Sequence, residues 1–122
     1  MHITRDVLFL THDGGTLLFR DRVRDLEITA PITVGDYVYI GVRSIILPGI
    51  TIGNNCIIAA GSVVTKNVSD NRVVAGVSAK LIKTTEEYFD GIKRRALHLG
   101  HLKGDAKDKE LRRHFGFYDK HN

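Results

Sequence analysis

Aliphatic residues recur at every sixth position between residues 28 and 69. The leading residues of seven consecutive hexads are Ile28, Val34, Ile40, Ile46, Ile52, Ile58 and Val64. The residues four positions later are small or aliphatic, namely Ile32, Val38, Ser44, Ile50, Cys56, Ser62 and Val68. A fixed short period is typical of a solenoid, whereas strict alternation would predict an ordinary strand and a spacing of three and four a helix. We therefore predict an all-β solenoid in which the leading and fifth residues of each hexad point inward.

A small residue directly follows several of the leading residues. These positions hold Gly35, Gly41, Gly53 and Ala59. We expect the small side chain to let the chain turn a tight corner between consecutive short strands.

The hexad register breaks over residues 15–27, which mix charged and apolar side chains. Upstream of this break, Ile3 with Val7 and then Phe9 show the hexad spacing, so the chain is expected to enter partway through a coil, with a truncated or atypical start. An insertion between hexads keeps the core in phase, which predicts an external loop at residues 15–27. Loops positioned by a rigid scaffold often carry function.

After Lys83 the pattern becomes helical. Thr84 and Glu87 have the spacing of a capping box, and an apolar face follows. This face consists of Tyr88, Ile92, Ala96 and Leu99. We expect the helix to end at Gly100 or Gly104, and a second helix to run from a cap at Asp105 to Gly116. The predicted domains are therefore a solenoid at residues 1–83 and a helical extension at residues 84–122.

Composition narrows the class of protein. The formal net charge of +4 is divided evenly between residues 1–83 and 84–122, which argues against a nucleic-acid-binding face. The single cysteine, Cys56, excludes an internal disulfide and is expected to lie in the core. The sequence shows neither a signal peptide nor an apolar run long enough to span a membrane, so a cytoplasmic enzyme is expected.

Five segments of the chain share a recognisable repeat pattern. They are residues 32–36 (ITVGD), 38–41 (VYIG), 46–53 (ILPGITIG), 59–66 (AAGSVVTK) and 74–80 (VAGVSAK). Together they resemble the hexapeptide-repeat acyltransferases, in particular the sugar and polysaccharide O-acetyltransferases. The resemblance implies a left-handed parallel β-helix with three hexads in each coil. It also implies a homotrimer with active sites between subunits.

His12 stands directly before the predicted external loop, within residues 10–16 (LTHDGGT). The resemblance implies a catalytic histidine at this place. An imidazole titrates near neutral pH, so it can accept a proton from an attacking acceptor and pass it to the leaving thiolate. Asp13 is a candidate for contacting the substrate or fixing the imidazole tautomer. Tyr39 is a candidate for stacking on a substrate, and covering a trimer contact is an equal alternative.

The resemblance also implies acetyl-CoA as the acyl donor and no metal. Small residues along one edge of the coils would let the pantetheine arm lie against the main chain. The phosphates would meet Lys66, together with Lys80 and Lys83, which are expected to lie one coil further on. The candidate cofactor-binding residues are Ala59, Ala60, Gly61, Ser62, Thr65, Lys66, Lys80 and Lys83, with Arg72 as a further candidate.

The favoured function is acetyl transfer from acetyl-CoA to a hydroxyl of a sugar or saccharide, with His12 as general base. An amino-sugar N-acetyltransferase is a close variant, and a non-catalytic β-helix that serves in assembly is an alternative of another class. A γ-type carbonic anhydrase, which is built on the same kind of helix, is a further class. It is disfavoured because it needs three histidines on a zinc ion and the coils offer two, His12 and His2. The acceptor is left open by the sequence.

Overall fold

The computed structural model describes residues 1–116, which fall into two compact units, one spanning Met1–Phe89 and the other beginning at Asp90. A 3₁₀ helix covers Gly14–Phe19, and the α-helices are α1 (Thr85–Arg95) and α2 (Gly104–His114). The strands are β1 (His2–Ile3), β2 (Leu8–Phe9), β3 (Thr33–Val34), β4 (Tyr39–Ile40), β5 (Ile45–Ile46), β6 (Thr51–Ile52), β7 (Ile57–Ile58), β8 (Val63–Val64), β9 (Arg72–Ala75) and β10 (Lys80–Thr84).

Three parallel sheets are visited in turn as the chain advances. Strand β3 pairs with β6, β4 with β7 and β5 with β8. Tyr39 is the register partner of Ile57, which lies 18 residues further on, and the other two pairs show the same offset. One coil therefore consists of three hexads, each hexad supplying one two-residue strand to one of three sheets.

The core lies inside these coils and consists of the predicted leading and fifth residues from Val38 onward, together with Val73 and Val74 of β9. Its buried members are Val38, Ile40, Ser44, Ile46, Ile50, Ile52, Cys56, Ile58, Ser62, Val64, Val68, Val73 and Val74. The buried hydroxyl of Ser44 donates a hydrogen bond to the carbonyl of Ala59 at 3.0 Å, which satisfies its polar atom inside the core. The inward orientation that the hexad pattern predicts is confirmed for this part of the chain.

Ile28 is an exception to that prediction. Its side chain is 50% exposed, and its carbonyl accepts a hydrogen bond from the backbone of Asp13 at 3.0 Å. The place in the sheet that Ile28 was expected to take belongs to Phe9, which pairs with Ile46 in β5 and is itself 38% exposed. Ile32 and Val34 pack against the core again, and Val34 pairs with Ile52. The excursion that begins after Phe9 is therefore longer than residues 15–27 and includes Ile28.

The glycines that follow the leading residues are required by the stacking of coils, and the expected role in turning corners is not the main reason. A Cβ atom on Gly41 would lie 2.5 Å from the backbone nitrogen of Ala60 in the next coil. A Cβ on Gly35 would lie 2.9 Å from the carbonyl carbon of Gly53. Backbone atoms cannot move aside as a flexible side chain can, so only glycine allows neighbouring coils to approach this closely.

Replacing Gly41 with alanine is therefore expected to lower the free energy of unfolding by about 1–3 kcal/mol, the usual cost of overpacking. The matched control is Gly91→Ala in α1, where a new Cβ would meet no heavy atom within 4 Å. That control should leave the stability unchanged or raise it slightly, because alanine has the higher helix propensity. Urea denaturation of both variants tests the prediction, and equal stabilities would contradict the close-approach argument.

The corners of the coils use left-handed backbone conformations at a regular spacing that the hydrophobic pattern did not reveal. Positive φ angles occur at Tyr37, Arg43, Gly49, Asn55 and Gly61, with values of 54°, 61°, 77°, 56° and 70°. These residues lie six positions apart, three after each leading residue. Glycine and asparagine adopt this conformation readily, whereas Tyr37 and Arg43 adopt it against the preference of ordinary L-residues.

The parallel stack changes at its C-terminal end. Val68 forms a bridge with Ile52 after 16 residues instead of 18, so the spacing between paired residues shortens by two. Strand β9 still pairs with β7 in parallel, and β10 then folds back antiparallel on β9. Lys80 and Lys83 consequently lie in this antiparallel strand, and the prediction that they occupy a further coil is wrong.

The first helix begins where the sequence predicts. The hydroxyl of Thr84 accepts a hydrogen bond from the backbone of Glu87 at 3.1 Å and donates one to the Glu87 carboxylate at 3.2 Å. The helix ends at Arg95, before the predicted Gly100 or Gly104, and α2 begins at Gly104 with Asp105 inside its first turn. Within residues 1–116, neither helix is long and apolar enough to cross a membrane.

Candidate active site

His12 lies at the base of the excursion between β2 and β3. The backbone of Ala30 donates a hydrogen bond to the carbonyl of Thr11 at 2.8 Å, and His12 and Thr29 form an antiparallel bridge. Residues 11–13 and 28–30 thus form a short antiparallel ladder that closes the excursion, which we call the neck. The neck fixes the position of the His12 backbone. The imidazole itself is exposed, as a group that exchanges protons with a substrate must be.

Asp13 shapes the start of the excursion. Its carboxylate accepts a hydrogen bond from the backbone of Gly15 at 2.8 Å and thereby caps the 3₁₀ helix Gly14–Phe19. Its carbonyl accepts a further bond from the hydroxyl of Thr16, a residue that is buried. These contacts give Asp13 a structural role at the neck, and its contact with substrate or with the imidazole stays a prediction.

A cavity of about 260 Å³ opens beside the imidazole. Its lining residues are His12, Asp13, Gly14, Thr16, Leu17, Arg20, Glu27 and Ile28. Two of its charged groups are held in place, because Thr29 donates a hydrogen bond to Glu27 at 2.9 Å and the Nε of Arg20 donates one to the carbonyl of Leu26 at 3.1 Å. The cavity therefore presents an imidazole, the Glu27 carboxylate and a guanidinium to a bound molecule, while the Asp13 carboxylate, which also lines the cavity, is engaged by the backbone of Gly15.

Arg20 and Glu27 were not among the residues singled out from the sequence. The signal that could have found them is their place in the insertion, since the two ends of a loop that leaves and re-enters the scaffold must meet beside His12. Glu27 lies immediately before the returning segment at Ile28 and Thr29.

A second cavity, of about 420 Å³, lies at the C-terminal end of the coils. Its lining residues are Lys66, Asn67, Val68, Ser69, Arg72, Val74, Ser78, Ala79, Lys80 and Leu81. The fold brings Lys66, Arg72 and Lys80 together here because β10 returns along β9. Three cations around one cavity suit a ligand that carries several phosphates.

The other residues predicted to bind a cofactor are placed less uniformly. Thr65 contacts Ser78 through its hydroxyl, at the margin of the second cavity. Among residues 1–116, Lys83 is not one of those that line this cavity. Cofactor binding by Thr65 and by Lys83 therefore stays a prediction, separate from the cluster of Lys66, Arg72 and Lys80.

Residues 59–62 form a corner whose surface is made of small groups. Ala60 and Gly61 are exposed, Ala59 is half-buried, and the backbone of Gly61 donates a hydrogen bond to the carbonyl of Val42 at 2.8 Å. The side chain of Ser62 is 0% exposed, and its hydroxyl donates to the carbonyl of Ala59 at 2.6 Å. Ser62 can therefore support this corner from inside, but its hydroxyl is not available to a ligand on the surface.

Tyr39 lies in β4 with its side chain 44% exposed. Strands on both sides pair with it, since His2 and Ile57 are its register partners. As residues 1–116 define the two cavities, Tyr39 lines neither of them. Its contact with a substrate or a neighbouring subunit stays a prediction.

Cys56 is buried in the coil interior, and its thiol donates a hydrogen bond to the carbonyl of Ser69 at 3.1 Å. Removal from water raises the pKa of the Cys56 thiol, with a smaller contribution in the same direction from the charge of Asp70. The thiol is therefore kept in its neutral form and is unsuited to act as a nucleophile.

The raised pKa of Cys56 predicts a pH dependence of stability. The thiol ionises first in the unfolded chain, so its contribution to the free energy of unfolding is present below a pH of about 8.5 and is lost as the pH rises further. Urea denaturation between pH 7 and pH 10 should show this loss in the native sequence and not in Cys56→Ala. An identical alkaline decline in both proteins would show that Cys56 is not its source.

Among residues 1–116, no group of three histidine, cysteine, aspartate or glutamate side chains is arranged to hold a metal ion.

Comparison with known proteins gives the family context of these two cavities. The family described as "Hexapeptide repeat of succinyl-transferase" matches residues 31–66. "Protein CapG" of Staphylococcus aureus is 44% identical over 86 residues, which are 70% of this chain and 50% of that protein.

Two solved structures are similar in fold as well as in sequence. A maltose O-acetyltransferase from Clostridium difficile 630 is 38% identical with a TM-score of 0.56, and the match covers 67% of this chain and 44% of that one. A hexapeptide-repeat-containing acetyltransferase from Vibrio cholerae, complexed with acetyl coenzyme A, is 32% identical with a TM-score of 0.56, covering 68% and 49%. The repeat and these neighbours imply that the three-sheet coils are a left-handed β-helix. The chain spans about half the length of the relatives that it matches.

Proposed function

The chain belongs to the hexapeptide-repeat acyltransferase family, and we propose from this that it transfers an acetyl group from acetyl-CoA to a hydroxyl of a sugar or saccharide. The observation that carries the proposal is the position of His12, an exposed imidazole on a fixed backbone that faces a cavity beside the external excursion. The similarity to a maltose O-acetyltransferase supports the choice of a saccharide hydroxyl.

The proposed reaction needs one base. The imidazole of His12 takes the proton from the acceptor hydroxyl while the hydroxyl oxygen attacks the carbonyl carbon of the thioester. The new C–O bond forms, the C–S bond breaks, and the imidazolium returns the proton to the leaving thiolate. The products are an acetyl ester and free coenzyme A. Asp13 supports this geometry by capping the helix that forms one wall of the cavity.

Coenzyme A is proposed to lie across the surface of residues 59–61, with its phosphates in the cavity that Lys66, Arg72 and Lys80 share. The exposed main chain at Ala60 and Gly61 leaves room for the thin pantetheine arm, whose amides can pair with backbone groups. The neighbour complexed with acetyl coenzyme A supports this choice of donor.

A thiol-release assay tests the proposal. The protein is incubated with acetyl-CoA and a panel of neutral saccharides, amino sugars and amino acids, and free thiol is followed with a chromogenic reagent. Release that depends on a saccharide hydroxyl supports O-acetylation. Release that depends on an amino group would assign the protein to N-acetylation, and the absence of acceptor-dependent release would favour a β-helix that serves in assembly.

We further propose that the working unit is a homotrimer in which the excursion contacts a neighbouring chain. The excursion exposes apolar side chains at Leu17, Leu18 and Val23, with exposed fractions of 62%, 76% and 47%. A cyclic three-fold arrangement can cover such a surface repeatedly without forming filaments. Light scattering coupled to size-exclusion chromatography should give the mass of three chains, and an active species with the mass of one chain would contradict the trimer.

A further inference from the structure

The carboxylate of Glu27 is held in the His12 cavity by a residue paired with His12 itself. Thr29 is the bridge partner of His12, and its hydroxyl donates a hydrogen bond to Oε1 of Glu27 at 2.9 Å. Side chains of directly opposed residues in an antiparallel pair lie about 5 Å apart at Cβ. The neck of the excursion therefore fixes the base and the carboxylate relative to each other through a single residue.

The opposite kind of hydrogen-bonding group comes from Arg20, which lines the same cavity. Its Nε is engaged by the carbonyl of Leu26 at 3.1 Å, which restrains the guanidinium and leaves its terminal nitrogens to donate. Glu27 can only accept hydrogen bonds when ionised, and Arg20 can only donate them. A ligand that satisfies both needs neighbouring groups that each donate and accept, which is the chemistry of hydroxyl groups.

We propose that Glu27 determines acceptor specificity by binding the hydroxyl adjacent to the one that is acetylated, which rests on the acetyl transfer proposed above. His12 takes the proton from one hydroxyl of a vicinal pair, and Glu27 accepts a hydrogen bond from the other. Thr29 acts as a positioning residue for the Glu27 carboxylate. The acceptor is accordingly a neutral saccharide with vicinal hydroxyls, because a carboxylate on the acceptor at this place would be repelled by Glu27.

The test compares a neutral saccharide with its analogue that lacks the neighbouring hydroxyl, in steady-state kinetics with acetyl-CoA. A hydrogen bond to a charged group contributes about 1.5–3 kcal/mol, which corresponds to about 10- to 100-fold in affinity. Wild-type protein should show a KM about 10- to 100-fold higher for the deoxy analogue. Glu27→Gln should lose most of this discrimination by raising the KM for the full saccharide, with a smaller change in kcat.

Thr29→Val should move the KM in the same direction by a smaller factor, because it releases the Glu27 carboxylate without removing it. Glu86→Gln is the matched control, since Glu86 is an exposed carboxylate in the first turn of α1, and it should behave as wild type. The affinity for coenzyme A should be the same in all variants, which separates an acceptor effect from a loss of fold.

Two different failures are distinguishable in this experiment. If wild-type protein releases no acceptor-dependent thiol, the proposed acetyl transfer itself is wrong. If wild-type protein is active but Glu27→Gln keeps both the KM and the discrimination of wild type, the acetyl transfer stands and the role of Glu27 is overturned.

Discussion

Replacing His12 with alanine is expected to lower kcat/KM for acetyl transfer by about 10²- to 10⁴-fold, the usual contribution of a positioned acid–base group. The loss should appear mainly in kcat, because the imidazole acts on the proton that moves during attack. The affinity for coenzyme A should stay unchanged, since the cation cavity is formed by residues other than His12. Steady-state thiol-release kinetics measure kcat and kcat/KM, and calorimetric titration measures the affinity for coenzyme A.

The fold should tolerate the His12→Ala change, because the side chain is exposed and the neck is closed by backbone hydrogen bonds from Asp13 and Ala30. His101→Ala is the matched control, since His101 is an exposed histidine of the second unit. It should retain wild-type turnover. Near-normal turnover in His12→Ala, at an unchanged melting temperature, would remove His12 from the mechanism.

The second large effect is expected at the cation cavity. Replacing Lys66 and Lys80 together with alanine should weaken coenzyme A binding by about 10²- to 10⁴-fold, because each charge-assisted hydrogen bond to a phosphate contributes about 1.5–3 kcal/mol. Arg72 lines the same cavity, and coupling through it should keep the loss towards the lower end of this range. Screening by salt should reduce the difference between the variant and wild type, as both lysines are exposed. Calorimetry at low and high salt measures these affinities.

Lys83→Ala is the natural comparison for the double variant. Lys83 carries the same charge on the same strand β10 but lies outside the lining of the cavity. If the cavity holds the phosphates, Lys83→Ala should change coenzyme A affinity by less than either single lysine variant inside it. A larger effect from Lys83 than from Lys66 or Lys80 would move the phosphate site away from this cavity.

The coil interior could be predicted from the sequence because a six-residue period has one dominant physical cause. Residues such as Ile40, Ile52 and Ile58 recur in phase with the three sheets, and all three are buried. Ile28 fits the same spacing by sequence but lies on the excursion, because pairing between coils decides which residue completes each sheet. The spacing of residues along the chain does not show which residue pairs with Ile46. The structure shows that this residue is Phe9 and not Ile28.

The hydrophobic pattern also could not predict steric contacts between neighbouring coils. The glycine at position 41 looked like a turn residue, but its need for space comes from the backbone of Ala60, 19 residues later. The left-handed corners at Tyr37 and Arg43 gave no sequence signal, because these residue types do not favour that conformation.

The part of the candidate site that lies at a fixed place in the hexad pattern could be predicted from the sequence. The parts that are formed by segments folding back on the coils could not. His12 could be singled out because it precedes the break in the hexads. The approach of Lys80 to Lys66 depends on the antiparallel fold-back of β10, and the approach of Glu27 to His12 depends on the neck that Thr29 closes. Both arrangements arise from hydrogen bonds between segments whose sequences carry no matching pattern.

The most direct measurement of the central claim is identification of the product formed from acetyl-CoA labelled with ¹³C in the acetyl group. The protein is incubated with this donor and a neutral saccharide that carries vicinal hydroxyls, and the mixture is followed by NMR. The proposed function predicts an O-acetyl ester, seen as a labelled carbonyl coupled to a sugar proton at the acetylated carbon, that forms at the rate of thiol release and is lost in His12→Ala. Labelled acetate as the main product, a labelled amide formed only with amino acceptors, or an ester that forms equally fast in His12→Ala would contradict it.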